Sequence, residues 1–145
     1  MTRFVLALML LAAPLAAQAP REFGVEGLAL LRDSSLAGGA LYGAMRVTHR
    51  TRIAVTGALD GGHGGLGARG ELAGHFLLNP TLGKGIGLYG GGGLAVEWQD
   101  HTRGYLELLV GAETNPGAAR GWVLEAGLGG GLRLALGWRA RWFPK

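Results

Sequence analysis

Between Leu132 and Phe143 the chain alternates: Leu132, Leu134, Leu136, Trp138, Ala140 and Trp142 form one row, and Arg133, Ala135, Gly137, Arg139 and Arg141 the other. A period of two marks a β-strand whose faces meet different surroundings. The same alternation predicts strands over 22–32, 38–48, 51–60, 66–78, 85–98, 102–113, 120–129 and 132–143. Turn-forming residues separate them: Asp33-Ser34-Ser35, Thr48-His49-Arg50, Asp60 to Gly64, Asn79-Pro80, Gln99-Asp100-His101, Asn115-Pro116-Gly117 and Gly129-Gly130-Gly131. No proline falls inside these strands, as expected of a hydrogen-bonded ladder that needs its donors.

Each strand has one charge-free row, such as Phe23-Val25-Gly27-Ala29-Leu31, Ile53-Val55-Gly57-Leu59 or Trp122-Leu124-Ala126-Leu128. The opposite rows carry Glu26, Arg46, Arg52, Arg69, Glu71, His75, Glu97, Arg103, Glu107, Glu125, Arg133, Arg139 and Arg141. From Glu22 onward no charge-free window approaches the ~20 residues of a membrane helix, so the apolar rows can meet lipid only as strands. The pattern predicts an all-β fold, an eight-stranded antiparallel up-and-down transmembrane barrel. Its apolar rows face lipid and its charged rows face a lumen that side chains fill. Counting across hairpins sets Glu97 opposite Arg103, and a turn near Leu36 sets Glu26 opposite Arg46; both are expected ion pairs. It also sets Arg46 opposite Arg52, which is unfavourable unless Glu26 or water intervenes. The expected lumen network is therefore Glu26, Arg46, Arg52, Arg69, Glu71, Glu97, Arg103, Glu107, Glu125, Arg133 and Arg139.

If the barrel begins on the periplasmic side, Phe23, Phe76, Trp122 and Trp142 fall on outward rows at that end and Trp98 at the other. This is the placement of an aromatic girdle, since amphipathic rings favour the membrane interface. Asp33, Asp60 and Asp100 all fall in extracellular turns on this count.

Ahead of the strands stand Arg3, the apolar run Phe4 to Ala13, and the small residues Leu15 to Ala19. That is the order of a secretory signal peptide. The run is too short to span a bilayer and Pro14 interrupts it. Cleavage is expected after Ala17, because Pro20 would follow a cut after Ala19, so residues 1–17 form the signal and 18–145 the barrel. The bland alternative is a buried N-terminal helix.

Composition narrows the reading further. A chain of 145 residues leaves, after the signal, room for about eight strands of 9–11 residues and no second module. Glycine, at 29 residues, far exceeds the usual ~7 % but has no collagen period and is interleaved with large apolar residues. The pI of 10.1 invites a nucleic-acid reading, yet arginines dispersed at alternate positions make a poor phosphate-binding patch, and no nucleic-acid partner is expected. Cysteine is absent, which removes disulfides and thiolate metal sites.

Over essentially all of its mature length the chain resembles the small outer-membrane β-barrels of the eight-stranded OmpA/OmpX type. The most specific element is the last strand, where Gly137, Trp138, Ala140, Trp142 and Phe143 resemble the terminal signal that the family presents to the barrel-assembly machinery. Pro144 and Lys145 follow the aromatic, and the loops on both sides are short. The resemblance implies an outer-membrane location, lipid as the surrounding partner, and passage through the secretion and barrel-assembly machinery.

Residues with chemical potential have plain readings beside them. Gly65 to Gly70 and Gly85 to Gly90 both match G-x-G-x-x-G, but no helix-period segment follows to receive a pyrophosphate. His49, His63, His75 and His101 lack the spacing of metal ligands. Ser34 and Ser35, with His63 and His101 in neighbouring loops, admit a lipid-modifying hydrolase, although turn chemistry accounts for Ser and Asp equally well. No catalytic, cofactor or metal site is expected. A soluble periplasmic lipocalin-like barrel, with its apolar rows turned inward around a ligand, is the main alternative. It would have to enclose Trp98, Trp122, Trp138 and Trp142 together. The oligomeric state is not set, although the outward glycines permit a second copy to approach closely. The sequence therefore points to a non-enzymatic outer-membrane barrel with a structural or interaction role.

Overall fold

A computed structural model describes residues 19–33, 35–62 and 65–144. The expected signal segment 1–17, Ser34 and His63 lie outside the described residues. Eight strands follow one another: β1 (Arg21–Leu31), β2 (Leu36–Arg46), β3 (Thr51–Gly62), β4 (Gly65–Leu77), β5 (Ile86–Trp98), β6 (Thr102–Thr114), β7 (Arg120–Leu128) and β8 (Leu132–Trp142). Each pairs antiparallel with the next, and β8 returns to β1 from Arg21↔Trp142 to Leu31↔Leu132, closing the barrel. Closure removes both sheet edges, so no row of backbone donors and acceptors is left open. Every strand end lies within two residues of the position given by the alternation.

The faces are sorted as the pattern requires. Val25, Val55, Leu94 and Leu124 are exposed on the outer wall, whereas Glu26, Arg52, Arg69 and Arg139 are buried inside. The apolar rows thus point away from the interior, opposite to a lipocalin-like arrangement. Both glycine-rich motifs lie mainly on β4 and β5, with strand rather than helix after them.

Glycine plays two roles here. A Cβ on inward Gly38 or Gly93 would strike the backbone of the neighbouring strand, at Leu59 and Leu72 respectively, and one on Gly137 would meet Val25 O at 2.7 Å. On the outer wall, Gly39, Gly43, Gly57 and Gly74 have nothing within 4 Å of that position. At the inward positions small residues are a packing requirement of the narrow barrel; at these four outer positions they are not.

Both ends of the barrel, Arg21 and Trp142, lie at one rim, here the near rim. There the β4–β5 and β6–β7 connections fold onto each other: Gly117 N donates to Leu82 O (2.9 Å) and Asn115 N to Gly85 O (2.7 Å). Asn115 sits at φ 49°, which an Asn side chain tolerates, and its Oδ1 accepts from Gly85 N at 2.9 Å.

Three expectations about register need correction. Arg21↔Met45 centres the first hairpin on Asp33 rather than near Leu36, so Glu26 faces Ala40 and not Arg46. The reason is that Leu36 is an inward, buried residue that already begins β2. Asp60 is not in a turn: it lies on β3 and is buried in the lumen. Arg103 does pair in register with Glu97, but so close to the far rim that its side chain is exposed and leaves the lumen.

Candidate functional site: the charged lumen

Placing charged residues at every second position forces their side chains into an interior only wide enough for side chains. Eight carboxylates (Glu22, Glu26, Asp60, Glu71, Glu97, Glu107, Glu113, Glu125) and six arginines (Arg46, Arg52, Arg69, Arg133, Arg139, Arg141) are buried there. An isolated buried charge costs several kcal/mol, so near-balance with short contacts is the arrangement that folding can support.

The network forms tiers along the axis. At the near rim, Glu22 stands between the like charges that face each other across β2 and β3, Arg46↔Arg52. Its Oε1 accepts from Arg46 Nε (3.3 Å) and its Oε2 from Arg52 Nη1 (2.8 Å). Glu113 accepts from Arg52 Nη1 (3.1 Å) and Arg141 Nη2 (2.8 Å). Arg46 then reaches across the mouth, where Nη1 donates to Pro80 O (3.0 Å) and Nη2 to Pro116 O (2.9 Å). One guanidinium therefore ties both near-rim connections to the barrel. Arg46→Ala is expected to leave the barrel closed while raising hydrogen exchange in 78–85 and 115–119. Unchanged protection of those segments would count against this role.

Two tyrosines link the tiers. Arg52 lies 4.5 Å from the Tyr89 ring centroid and Arg139 3.6 Å from that of Tyr42, as in cation–π stacking. Tyr89 OH donates to Glu125 Oε1 (2.5 Å), and His75 stacks on Tyr89 with ring centroids 5.2 Å apart. Arg139 Nη2 donates to Glu26 Oε1 (2.7 Å) and Glu125 Oε1 (2.6 Å). Above it Arg133 donates to Glu125 (2.8 Å) and, through Nη2, to Glu71 (2.9 Å), and its Nε stands 3.0 Å from Glu107. Toward the far rim Arg69 donates to Glu71 (2.6 Å), and Glu97 accepts two bonds from Arg32, at 2.5 and 3.0 Å. Those bonds also raise the pKa of the Arg32 guanidinium.

Arg32 thus takes the place at Glu97 that the sequence assigns to Arg103, because Arg32 turns inward where Arg103 leaves the mouth. Of the other expected lumen residues, Glu26, Arg46, Arg52, Arg69, Glu71, Glu97, Glu107, Glu125, Arg133 and Arg139 are all buried together, but Glu26 binds Arg139 rather than Arg46. Glu22, Glu113, Tyr42 and Tyr89 belong to the network and are absent from the expected set. Row parity would have found all four, since each stands an even number of residues from a charged member of its own strand.

At the far rim a depression of 300 Å³ is lined by Arg32, Asp33, Glu97, Gln99, His101 and Arg103, among others. Ser35 Oγ donates to Arg32 O at 3.3 Å, a turn contact rather than a nucleophile–base pair. Among the described residues no group of His, Asp or Glu has the geometry of a metal site. The aromatic residues Phe23, Phe76, Trp98, Trp122 and Trp142 are all exposed on the outer wall, Trp98 near the far rim and the rest near the near rim. Gly137, Trp138, Ala140 and Trp142 lie on β8 and Phe143 just beyond it.

No family model matches the chain, and no curated protein matches it. Among solved structures, it is similar to the crystal structure of the N-terminal β-barrel domain of Pseudomonas aeruginosa OprF, with a TM-score of 0.59 and 16 % identity over 86 % of this chain and 100 % of that one. At that identity the likeness is one of fold.

Proposed function

We propose that this OmpA/OmpX-like barrel is a small integral outer-membrane protein with a structural or interaction role and a filled lumen, and that it is neither a general pore nor an enzyme. The observation that carries the reading is the segregation of charge. Large apolar side chains line the outside of every strand, while eight of the ten Asp and Glu residues are buried inside. In water such an outer wall is an aggregation surface; against hydrocarbon it is the favoured one. Its apolar band would run from the girdle of Phe23, Phe76, Trp122 and Trp142 at the near, periplasmic rim to Trp98 at the far, extracellular rim. Crossing ion pairs through the lumen favour structure over conduction, because aqueous channels come with sixteen or more strands. Delivery would follow cleavage after Ala17, with Gly137, Trp138, Ala140, Trp142 and Phe143 offered to the assembly machinery. The fold likeness to the OprF barrel domain agrees with this.

The test is expression with the native N-terminus, followed by membrane fractionation and a gel of boiled and unboiled samples. Sedimentation with outer membranes and a mobility change only on boiling is the expected result. A soluble periplasmic protein without that change would refute the reading. For the non-enzymatic part, Ser34→Ala and His101→Ala are expected to match wild type in a phospholipid or lipid A turnover assay.

A further inference from the structure

The charge behind the high pI gathers at one rim. Apart from the eight buried carboxylates, the acids are Asp33 and Asp100, both in far-rim turns. The near rim exposes Arg21, Arg50, Lys84 and Arg120, and no carboxylate among the described residues is exposed there. Next to that rim the outer wall carries an apolar groove of 730 Å³, within the range of ligand clefts. It exists because neighbouring strands place small residues at one height, with Gly90 opposite Val110 and Ala126 opposite the same Val110, between the larger Phe76, Leu88 and Leu124.

Two rows of the groove run down to cations. Lys84 lies in the β4–β5 connection two residues before β5, whose outer row runs Ile86, Leu88 and Gly90, and Arg120 begins the β7 row that continues through Trp122, Leu124 and Ala126. At about 3.3 Å per residue, Arg120 stands roughly 13 Å along β7 from Leu124, and Lys84 precedes Leu88 by four residues across the bend at Gly85. Trp122 lies between Arg120 and Leu124, the level at which an indole meets an interface. A flexible basic side chain at that height meets phosphate while the groove meets methylenes.

We propose that the groove, with Lys84 and Arg120, binds one anionic phospholipid of the near-rim leaflet, its acyl chain in the groove and its phosphate on the two cations. The proposal rests on the membrane reading above. A basic residue at a membrane surface contributes about fivefold to anionic-lipid affinity, so the pair is expected to give a preference of at least about tenfold.

The experiment uses the full mature chain, folded in detergent micelles and checked for heat-modifiability. It is titrated with phosphatidylglycerol or phosphatidylcholine of identical acyl chains, and retained lipid is counted by native mass spectrometry. One phosphatidylglycerol held at least about tenfold better than phosphatidylcholine is expected. Lys84→Gln with Arg120→Gln should abolish the preference, Ala126→Phe should lower retention of both lipids, and Arg21→Gln, on β1 and away from the β4 to β7 wall that carries the groove, should change neither. Equal retention of the two lipids, a preference that survives the double variant, or a groove covered instead by a second copy in a lipid-independent dimer would overturn the site while leaving a heat-modifiable barrel in the membrane. A wild-type chain that neither shifts on boiling nor enters vesicles would overturn the membrane reading and the site with it.

Discussion

Replacing Arg139 with alanine is expected to lower barrel stability by about 3–5 kcal/mol, the cost of breaking a buried ion pair from one side. Its guanidinium is fully buried and donates to Glu26 on β1 and Glu125 on β7, while its plane lies over the Tyr42 ring. Removing it leaves two carboxylates with less compensation in a low-dielectric interior, and leaves an empty volume beside Tyr42. Arg139→Lys should recover only part of the loss, because one ammonium cannot reproduce the planar fork that serves both carboxylates and the ring. The measurement is urea-dependent unfolding from lipid vesicles, followed by Trp fluorescence and by unboiled gel mobility. A loss below about 1 kcal/mol, the level of a surface pair, would show that the network is not what holds the lumen together. A double-mutant cycle between Arg139→Ala and Glu26→Ala should give a coupling of 0.5–3 kcal/mol in magnitude, as residues in one network do.

Adding a single methyl group at Gly93 should be as damaging. Its Cβ would fall on the backbone of β4, against Leu72 O and 2.7 Å from Ala73 Cα, where no flexible side chain can give way. Gly93→Ala must either spread β4 from β5 or break ladder bonds. The expected loss is about 3 kcal/mol or more, at the upper end of overpacking costs. Gly57→Ala, on the outer wall with nothing within 4 Å, is the control. It should be neutral or stabilising by about 0.4–1 kcal/mol, because alanine restricts the unfolded chain. Parallel folding yields and urea midpoints of the two variants give the answer. Equal behaviour would mean that the inward glycines are not required by closure.

Glycine marks the limit of what alternation reveals. The sequence shows Gly93 and Gly57 as equally small residues in two strands, and parity assigns them to opposite faces. Only the paired β4 backbone makes one of them irreplaceable. The lumen divides in the same way. Eleven of the charged residues that parity puts on the inner rows are buried, because a strand side chain has two directions available and charge selects the inner one. Partner choice is less legible: the sequence sets Glu26 against Arg46 and Glu97 against Arg103, whereas the structure pairs Glu26 with Arg139 and Glu97 with Arg32. Pairings within a hairpin depend on where the turn closes, and the first turn closes three residues earlier than near Leu36.

By itself, then, the sequence determined the number of strands, their bounds, their faces and the charge-free outer wall, since each follows from a local period of two. Tertiary structure decided the contacts that join strands distant in sequence. Arg139 binds Glu26 only because β8 closes on β1. Glu22 separates Arg46 from Arg52 only because β1 lies beside β2 in the observed register. The near-rim ring of Arg21, Arg50, Lys84 and Arg120 exists only because closure brings four separate strand ends and turns to one level. Local alternation fixes a side chain's face; closure and register fix what it meets.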